Sequence, residues 1–404
     1  MNIEELENKY IDLLVSRCIN FNKSKSLLIS YNKINEDIIK KIVDKVKSFG
    51  INDIYLDMED TNITREILLN SSKEEIENNS YFDKSIWDLY AKKNSAFLIA
   101  VSYIPDSMSG IDEEKITAMS KKKNETRKLY RRMQNTYEVP WCIFALPNKE
   151  WANIIYRDNP DSYNLLYKTI FDICMVNEFD PVDNWNKYIN ENRKRVKALN
   201  DLGIKKLHYK NSLGTDLHIE LNPDTLWCGI GEKENNMLVN MPSYEVFTSP
   251  NYLSTNGVVY SSKPLIFNGA KIEDFYLVFK DGKVSEVHAK EGEKILEGIT
   301  NIDNYASYLG EIALVNYNSP ISNTNKVFYE TLFDENASCH LALGAGFTNS
   351  IPNGNDLSEE ELLSRGVNVS KTHVDFMIGT NDLFIEAETK NGNVVIFKDG
   401  NFVI

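Results

Sequence analysis

The chain has 404 residues, 42% of them hydrophobic and 26% charged, which excludes an intrinsically disordered polypeptide and is long enough for two separately cored domains. Lysine and arginine number 45 against 59 aspartates and glutamates, a net charge of -14, so general binding to nucleic acid or anionic membranes is disfavoured and a small or neutral substrate is expected. The opening Met1-Asn2-Ile3-Glu4-Glu5-Leu6 lacks the basic-then-apolar order of a secretion signal, and no stretch approaches the length of a membrane span, so a cytoplasmic protein is expected.

The first half alternates helix and strand patterns, as parallel βα units do. Apolar spacing at Ile3, Leu6, Tyr10, Leu13 and Leu14 predicts an amphipathic helix, and Ser26-Leu27-Leu28-Ile29-Ser30 a short strand. A helix from about Asp37 to Phe49 stops at Gly50, a residue suited to the left-handed cap, and Ile51 to Leu56 reads as the next strand. The continuous apolar run Ala96 to Val101 predicts a central strand covered on both faces. One charged helix is expected from Glu113 to Gln134, followed by a strand from Trp141 to Leu146. Its Lys121-Lys122-Lys123 and Arg131-Arg132 clusters read as a solvated face.

Helices from about Ser162 to Val176 and Asp183 to Leu202 precede a change of texture. After Lys205 the strands shorten and alternate with turn signals, notably Asp281-Gly282 and Asp399-Gly400, which predict antiparallel hairpins. The expected architecture is an α/β N-terminal domain with a parallel sheet, residues 1–195, and a β-rich α+β C-terminal domain, residues 196–404. Cys18, Cys142, Cys174, Cys228 and Cys339 are odd in number and form no C-x-x-C pair, so reduced thiols are expected rather than a disulfide framework or a zinc ribbon. Gly344-Ala345-Gly346 lacks the following Gly-Lys-Ser/Thr of a phosphate loop.

Chemistry concentrates in four segments of the second half. His373-Val374-Asp375 places an imidazole and a carboxylate two apart in a strand-like run, so both side chains project from one face. That arrangement suits a metal ion and equally suits a hydrogen-bonded surface pair. Glu311 lies in Gly-Glu-Ile-Ala-Leu-Val, either a costly buried charge that needs a partner or an edge-strand carboxylate facing water. Glu245 precedes Val-Phe-Thr-Ser-Pro, and Glu335 and His340 flank Asn-Ala-Ser-Cys. Five residues apart, Glu335 and His340 share no helix face, so both can ligate only across a turn. Three glutamates, one aspartate and two histidines would suit two divalent ions with one carboxylate bridging.

These segments, Glu-Val-Phe-Thr-Ser-Pro (245–250), Gly-Glu-Ile-Ala-Leu-Val (310–315), Asn-Ala-Ser-Cys-His-Leu-Ala-Leu-Gly (336–344) and His-Val-Asp-Phe-Met-Ile-Gly (373–379), resemble the thermophilic-type metalloaminopeptidases, the family of aminopeptidase T and aminopeptidase S. Weaker similarity runs through Trp87-Asp88-Leu89-Tyr90 and from Arg127 to Trp141. The resemblance implies that Glu245, Glu311, Glu335, His340, His373 and Asp375 bind two divalent ions per subunit, zinc, cobalt or manganese, with Glu311 bridging. It implies release of N-terminal residues from short peptides in a homodimer around an internal cavity. Glu245 and Glu311 are the expected catalytic residues, and Glu245 is the candidate proton carrier because a ligand carboxylate can hold a metal-bound water by its free oxygen. One position departs: relatives commonly carry a tyrosine where this chain has Phe347, which cannot donate a hydrogen bond to a developing oxyanion. The rival expectation is therefore a metal-stabilised peptide-binding or weakly active homologue. A nucleotide- or sugar-binding enzyme built on the first half rests on fold analogy alone.

Overall fold

A computed structural model describes residues 2–19, 21, 24–78, 81–177, 179–231 and 237–404, with the backbone alone at 113. The chain divides into two compact units. The first comprises Met1–Tyr188, Gly231–Ser243 and Asn268–Ala270; the second comprises Ile189–Ile230, Tyr244–Phe267 and Lys271–Ile404. The change of unit falls within the helix Pro181–Leu202. Two later segments return to the first unit.

The first unit is built on a five-stranded parallel sheet in the order Asp53–Glu59, Ser26–Asn32, Ala96–Val101, Trp141–Ala145, Asn240–Met241. Leu27, Leu28 and Ile29 are fully buried, as are Phe97 and Leu98, the signature of strands covered on both faces. Asn2 and Glu5 form a reciprocal capping box that starts the helix Ile3–Leu13. Gly50, at φ +81°, follows the helix Glu36–Ser48 in the left-handed conformation expected of it.

The single helix expected from Glu113 to Gln134 is instead two, Glu113–Thr126 and Lys128–Asn135. The break is at Arg127, whose φ of -102° and ψ of 13° leave the helical region. Its guanidinium lies 4.3 Å from the centre of the Trp87 ring and 3.3 Å from Asp57. Helical periodicity does not register such a tertiary anchor. Of the basic clusters, Lys123 pairs with Glu59 and Arg132 with Glu138, both at 2.9 Å and all at least a third exposed. Such pairs contribute roughly 0–1 kcal/mol each.

The second unit contains two sheets. The larger has nine strands, ordered Leu265–Phe267, Ala270–Lys280, Asn256–Tyr260, Asp216–Glu220, Ile204–Lys210, Phe384–Thr389, Gly392–Lys398 and Asn401–Phe402, with Lys283–Glu291 also paired to Ala270–Lys280. Both hairpin signals fall at two-residue turns: Asp281 and Gly282 have φ +50° and +83°, Asp399 and Gly400 +50° and +70°, and two left-handed residues match the twist of the flanking strands.

The smaller sheet is antiparallel throughout, ordered His373–Met377, His340–Gly344, Leu309–Leu314, Val246–Thr248, Cys228–Gly229. Val246, Ile312, Leu314, Leu341, Leu343, Val374 and Phe376 on one of its faces share a core with Leu207, Leu217, Ile219, Leu277 and Ile385 of the larger sheet. Each such side chain, fully buried, stabilises the fold by about 1.5–3 kcal/mol. Because strand residues alternate, the intervening positions of the smaller sheet are turned the other way. Among the described residues no helix is long and apolar enough to cross a membrane.

Candidate metal centre

Glu311 occupies the middle strand of the smaller sheet. Its neighbours Ile312 and Leu314 face the core, so alternation turns Glu311 and Ala313 to the opposite face, where Glu311 is only 3% exposed. The open question of an edge-strand carboxylate is thereby answered. The register shifts by one residue between Leu309 and Glu311, at Gly310. A Cβ there would stand 2.2 Å from the carbonyl oxygens of Ala345 and Gly344, so glycine is what lets the chain pass.

Glu311 is paired across the sheet with Ala342, and Ala342 with Asp375; His373 stands opposite Gly344. Ala342 and Gly344 leave space between the larger polar groups. Glu245 immediately precedes the strand Val246–Thr248, and His340 opens the strand His340–Gly344. The sheet thus gathers residues spread over 130 positions onto one face.

The Nε2 of His373 lies 3.0 Å from Glu311 Oε2 and 3.2 Å from Asp375 Oδ1. The Nε2 of His340 lies 3.3 Å from Glu245 Oε2. Two triads result, Glu245 with Glu311 and His340, and Glu311 with His373 and Asp375. Glu311 belongs to both. Glu335 belongs to neither: it ends the helix Thr331–Glu335, and the turn 336–339 separates it from His340.

Both imidazoles are held from behind. His373 Nδ1 donates to the Ala345 carbonyl at 2.8 Å, and His340 Nδ1 to the Ser338 carbonyl at 3.4 Å. A carbonyl only accepts, so each Nδ1 carries a proton and each Nε2 is the atom offered to the carboxylates. Burial pushes the Glu311 carboxyl up to about 7, against the pull of His373 and with help from Asp375 and Glu245. Glu335 is raised well above the usual carboxylate range by burial, by Asp375 and by Glu245. Burial alone would lower the two histidines, but the facing carboxylates lift His340 to about 10 and His373 well above its ordinary value. Asp375 goes the other way: His373 outweighs burial and holds it at about 2.

The family model for thermophilic metalloproteases (M29) matches residues 3–402. The chain belongs to this family. It is 35% identical to aminopeptidase AmpS of Bacillus subtilis, covering 98% of both chains, and 34% identical to aminopeptidase PepS of Streptococcus thermophilus, covering 100% of this chain and 99% of that one. Its fold superposes on wild-type AmpT from Thermus thermophilus with a TM-score of 0.88 at 26% identity, over 99% of each.

An M29 metalloprotease implies a divalent ion, and the residues here fit one. Carboxylates and imidazoles converge in a buried place, and Asp375 Oδ1 has no hydrogen-bond partner among the described residues. Its 3.2 Å approach to His373 Nε2 lies outside hydrogen-bonding geometry. A buried acceptor without a hydrogen bond is costly, and a bound cation removes the cost. In each imidazole Nδ1 is committed to a backbone carbonyl that fixes ring orientation, so Nε2 is the nitrogen a metal would take in exchange for its proton.

Phe347 is half-buried beside this centre. Its ring packs on Phe247 at 4.7 Å and meets His373 edge-on at 5.3 Å, and its backbone N–H donates to Ser249 Oγ at 2.7 Å. The ring itself carries no hydroxyl.

Two positioning residues escaped the sequence reading. Asn336 donates to the Leu332 carbonyl at 2.9 Å and to Glu335 Oε1 at 3.3 Å, and accepts from the Tyr244 N–H at 2.7 Å. It ties the turn after Glu335 to the residue before Glu245. Asn192 Nδ2 donates to the Glu245 carbonyl at 2.8 Å. Neither stands in a pattern of polar spacing that would have singled it out.

Proposed function

We propose that this chain is an aminopeptidase that releases N-terminal residues from short peptides, with two divalent ions held by Glu245, Glu311, Glu335, His340, His373 and Asp375. The observation that carries the reading is the sharing of Glu311 between two ligand triads, the arrangement a bridging carboxylate requires. Zinc, cobalt and manganese all suit a mixed imidazole and carboxylate set. When bound, such ions polarise the scissile carbonyl and acidify water toward neutrality.

The protein's own groups have separate tasks. His340 and His373 are held rigidly by their backbone carbonyl partners and keep the donor set in place. Glu311, buried between the triads, contributes charge to both. Glu245 carries a proton from water to the leaving amine through its second carboxylate oxygen. The Phe347 ring, backed by Phe247, packs edge-on against His373 and walls one side of the site. A homodimer located in the cytoplasm completes the proposal, and sedimentation of the purified chain reads its oligomeric state.

The decisive assay follows release of free amino acid from dipeptides and aminoacyl anilides with added zinc, cobalt or manganese. Activity with one of these ions, abolished by Glu311→Gln, is the expected result. One specific observation favours a second reading, a metal-stabilised peptide-binding or weakly active homologue. The ring beside His373 lacks a hydroxyl, and losing one oxyanion donor costs roughly 10²–10³-fold in turnover at comparable sites. Tight peptide binding without turnover would favour that reading.

A further inference from the structure

We propose a second divalent-cation site, of the zinc, nickel and copper class, formed by His208, Asp216 and His218 on the exposed face of the nine-stranded sheet. The chain has five histidines. Two belong to the centre already described, and two of the remaining three meet here. His208 lies on the strand Ile204–Lys210 directly opposite His218 on Asp216–Glu220. Asp216 stands two residues before His218, so all three side chains share one face. The inward neighbours Leu207, Tyr209, Leu217 and Ile219 are buried in the core, which fixes the register and turns the triad outward.

The donor atoms lie within 4.8 Å of one another. Asp216 Oδ1 is 2.6 Å from His208 Nε2 and 4.0 Å from His218 Nε2. These distances bracket the roughly 3.4 Å edge of a tetrahedron whose ligands are about 2.1 Å from the ion. The two imidazoles are stacked, with centroids 3.8 Å apart and planes at 21°. A proton shared with Asp216 serves one ring, and placing a proton on each ring sets two like charges face to face. A single divalent ion satisfies both rings and the carboxylate together. The three side chains are 24%, 60% and 42% exposed for His208, Asp216 and His218, so entry is open and the fourth position faces solvent. Three protein ligands with an open position describe a site that takes water or an outside donor. Glu386 occupies the position across from His208 on the other neighbouring strand and adds negative charge to this face. Imidazole-rich sites prefer borderline metals over magnesium or calcium.

The test is zinc titration of the full-length protein against a competing chromophoric chelator, comparing the wild type with the His208→Ala/His218→Ala double variant and with Asp216→Asn. The wild type should bind one zinc ion more than the double variant, and Asp216→Asn should weaken that ion about 10–100-fold, with unchanged melting temperature in ion-free buffer. Activity of the metal centre should be the same in all three proteins. Equal zinc number and affinity in the wild type and the double variant would overturn the proposal. So would a parallel fall of peptidase activity with the lost ion, which would place that ion in the first centre.

Discussion

The Nε2 of His373 stands 3.0 Å from the Oε2 of Glu311 while the opposite ring nitrogen is committed to the Ala345 carbonyl. The imidazole therefore presents its remaining ring nitrogen to a carboxylate that is itself buried. Two acceptors face each other unless a proton or a cation lies between them. The same relation recurs between His340 and Glu245 at 3.3 Å.

Removing the ions should destabilise the fold at neutral pH. Ligands that bind only the native state stabilise it by RT ln(1 + [L]/Kd), about 2.7 kcal/mol for each ion present at a hundredfold its Kd. Calorimetry should show a lower melting temperature after chelation and recovery on adding zinc, cobalt or manganese. An identical melting curve with and without chelator would count against ligation.

Phe347→Tyr restores a hydroxyl beside His373 with little change in shape. Turnover should rise by roughly 10²-fold or more if an oxyanion donor is what the site lacks, with KM changing far less than kcat. An unchanged kcat would show that the phenylalanine is neutral and that another group performs this task.

Asn336→Ala should weaken metal binding without touching a ligand. The change leaves the buried Tyr244 N–H without its 2.7 Å partner and releases Glu335 Oε1. An unsatisfied buried donor costs about 1–3 kcal/mol, and loss of a supporting contact lowers metal affinity by about 10–100-fold. Denaturant unfolding and metal titration read the two effects separately.

Gly310→Ala should damage the centre through the backbone. The added methyl would meet two carbonyl oxygens at 2.2 Å, one of them the Ala345 oxygen that orients His373. Reduced stability should be accompanied by weaker binding of the ion held by His373, measured by competition with a chelator.

Much of this was legible in the sequence, and the gaps have physical reasons. The central strand Ala96–Val101 and the two Asp-Gly turns were readable because apolar runs and left-handed turn residues are local signals. The parallel partner Asn240–Met241 was not, since two residues carry no periodicity. The helix break at Arg127 arises from a tertiary contact with Trp87. The spacing of Glu335 and His340 carries no periodic signal because a helix ends at one and a strand begins at the other. Nothing local in the sequence brings Glu245 to His340; the strand order does that. Asp216-Leu217-His218 repeats the two-apart pattern of His373-Val374-Asp375, but its cross-strand partner His208 becomes visible only in the register.

The most direct test is the metal-to-protein ratio of the purified chain and its variants, measured by elemental analysis after equilibration with zinc. Three ions per wild-type chain, counting the one at His208 and His218, two each in His340→Ala and His373→Ala, and only that one in Glu311→Gln is the expected series. Retention of wild-type metal content by Glu311→Gln would contradict a centre organised around that shared carboxylate.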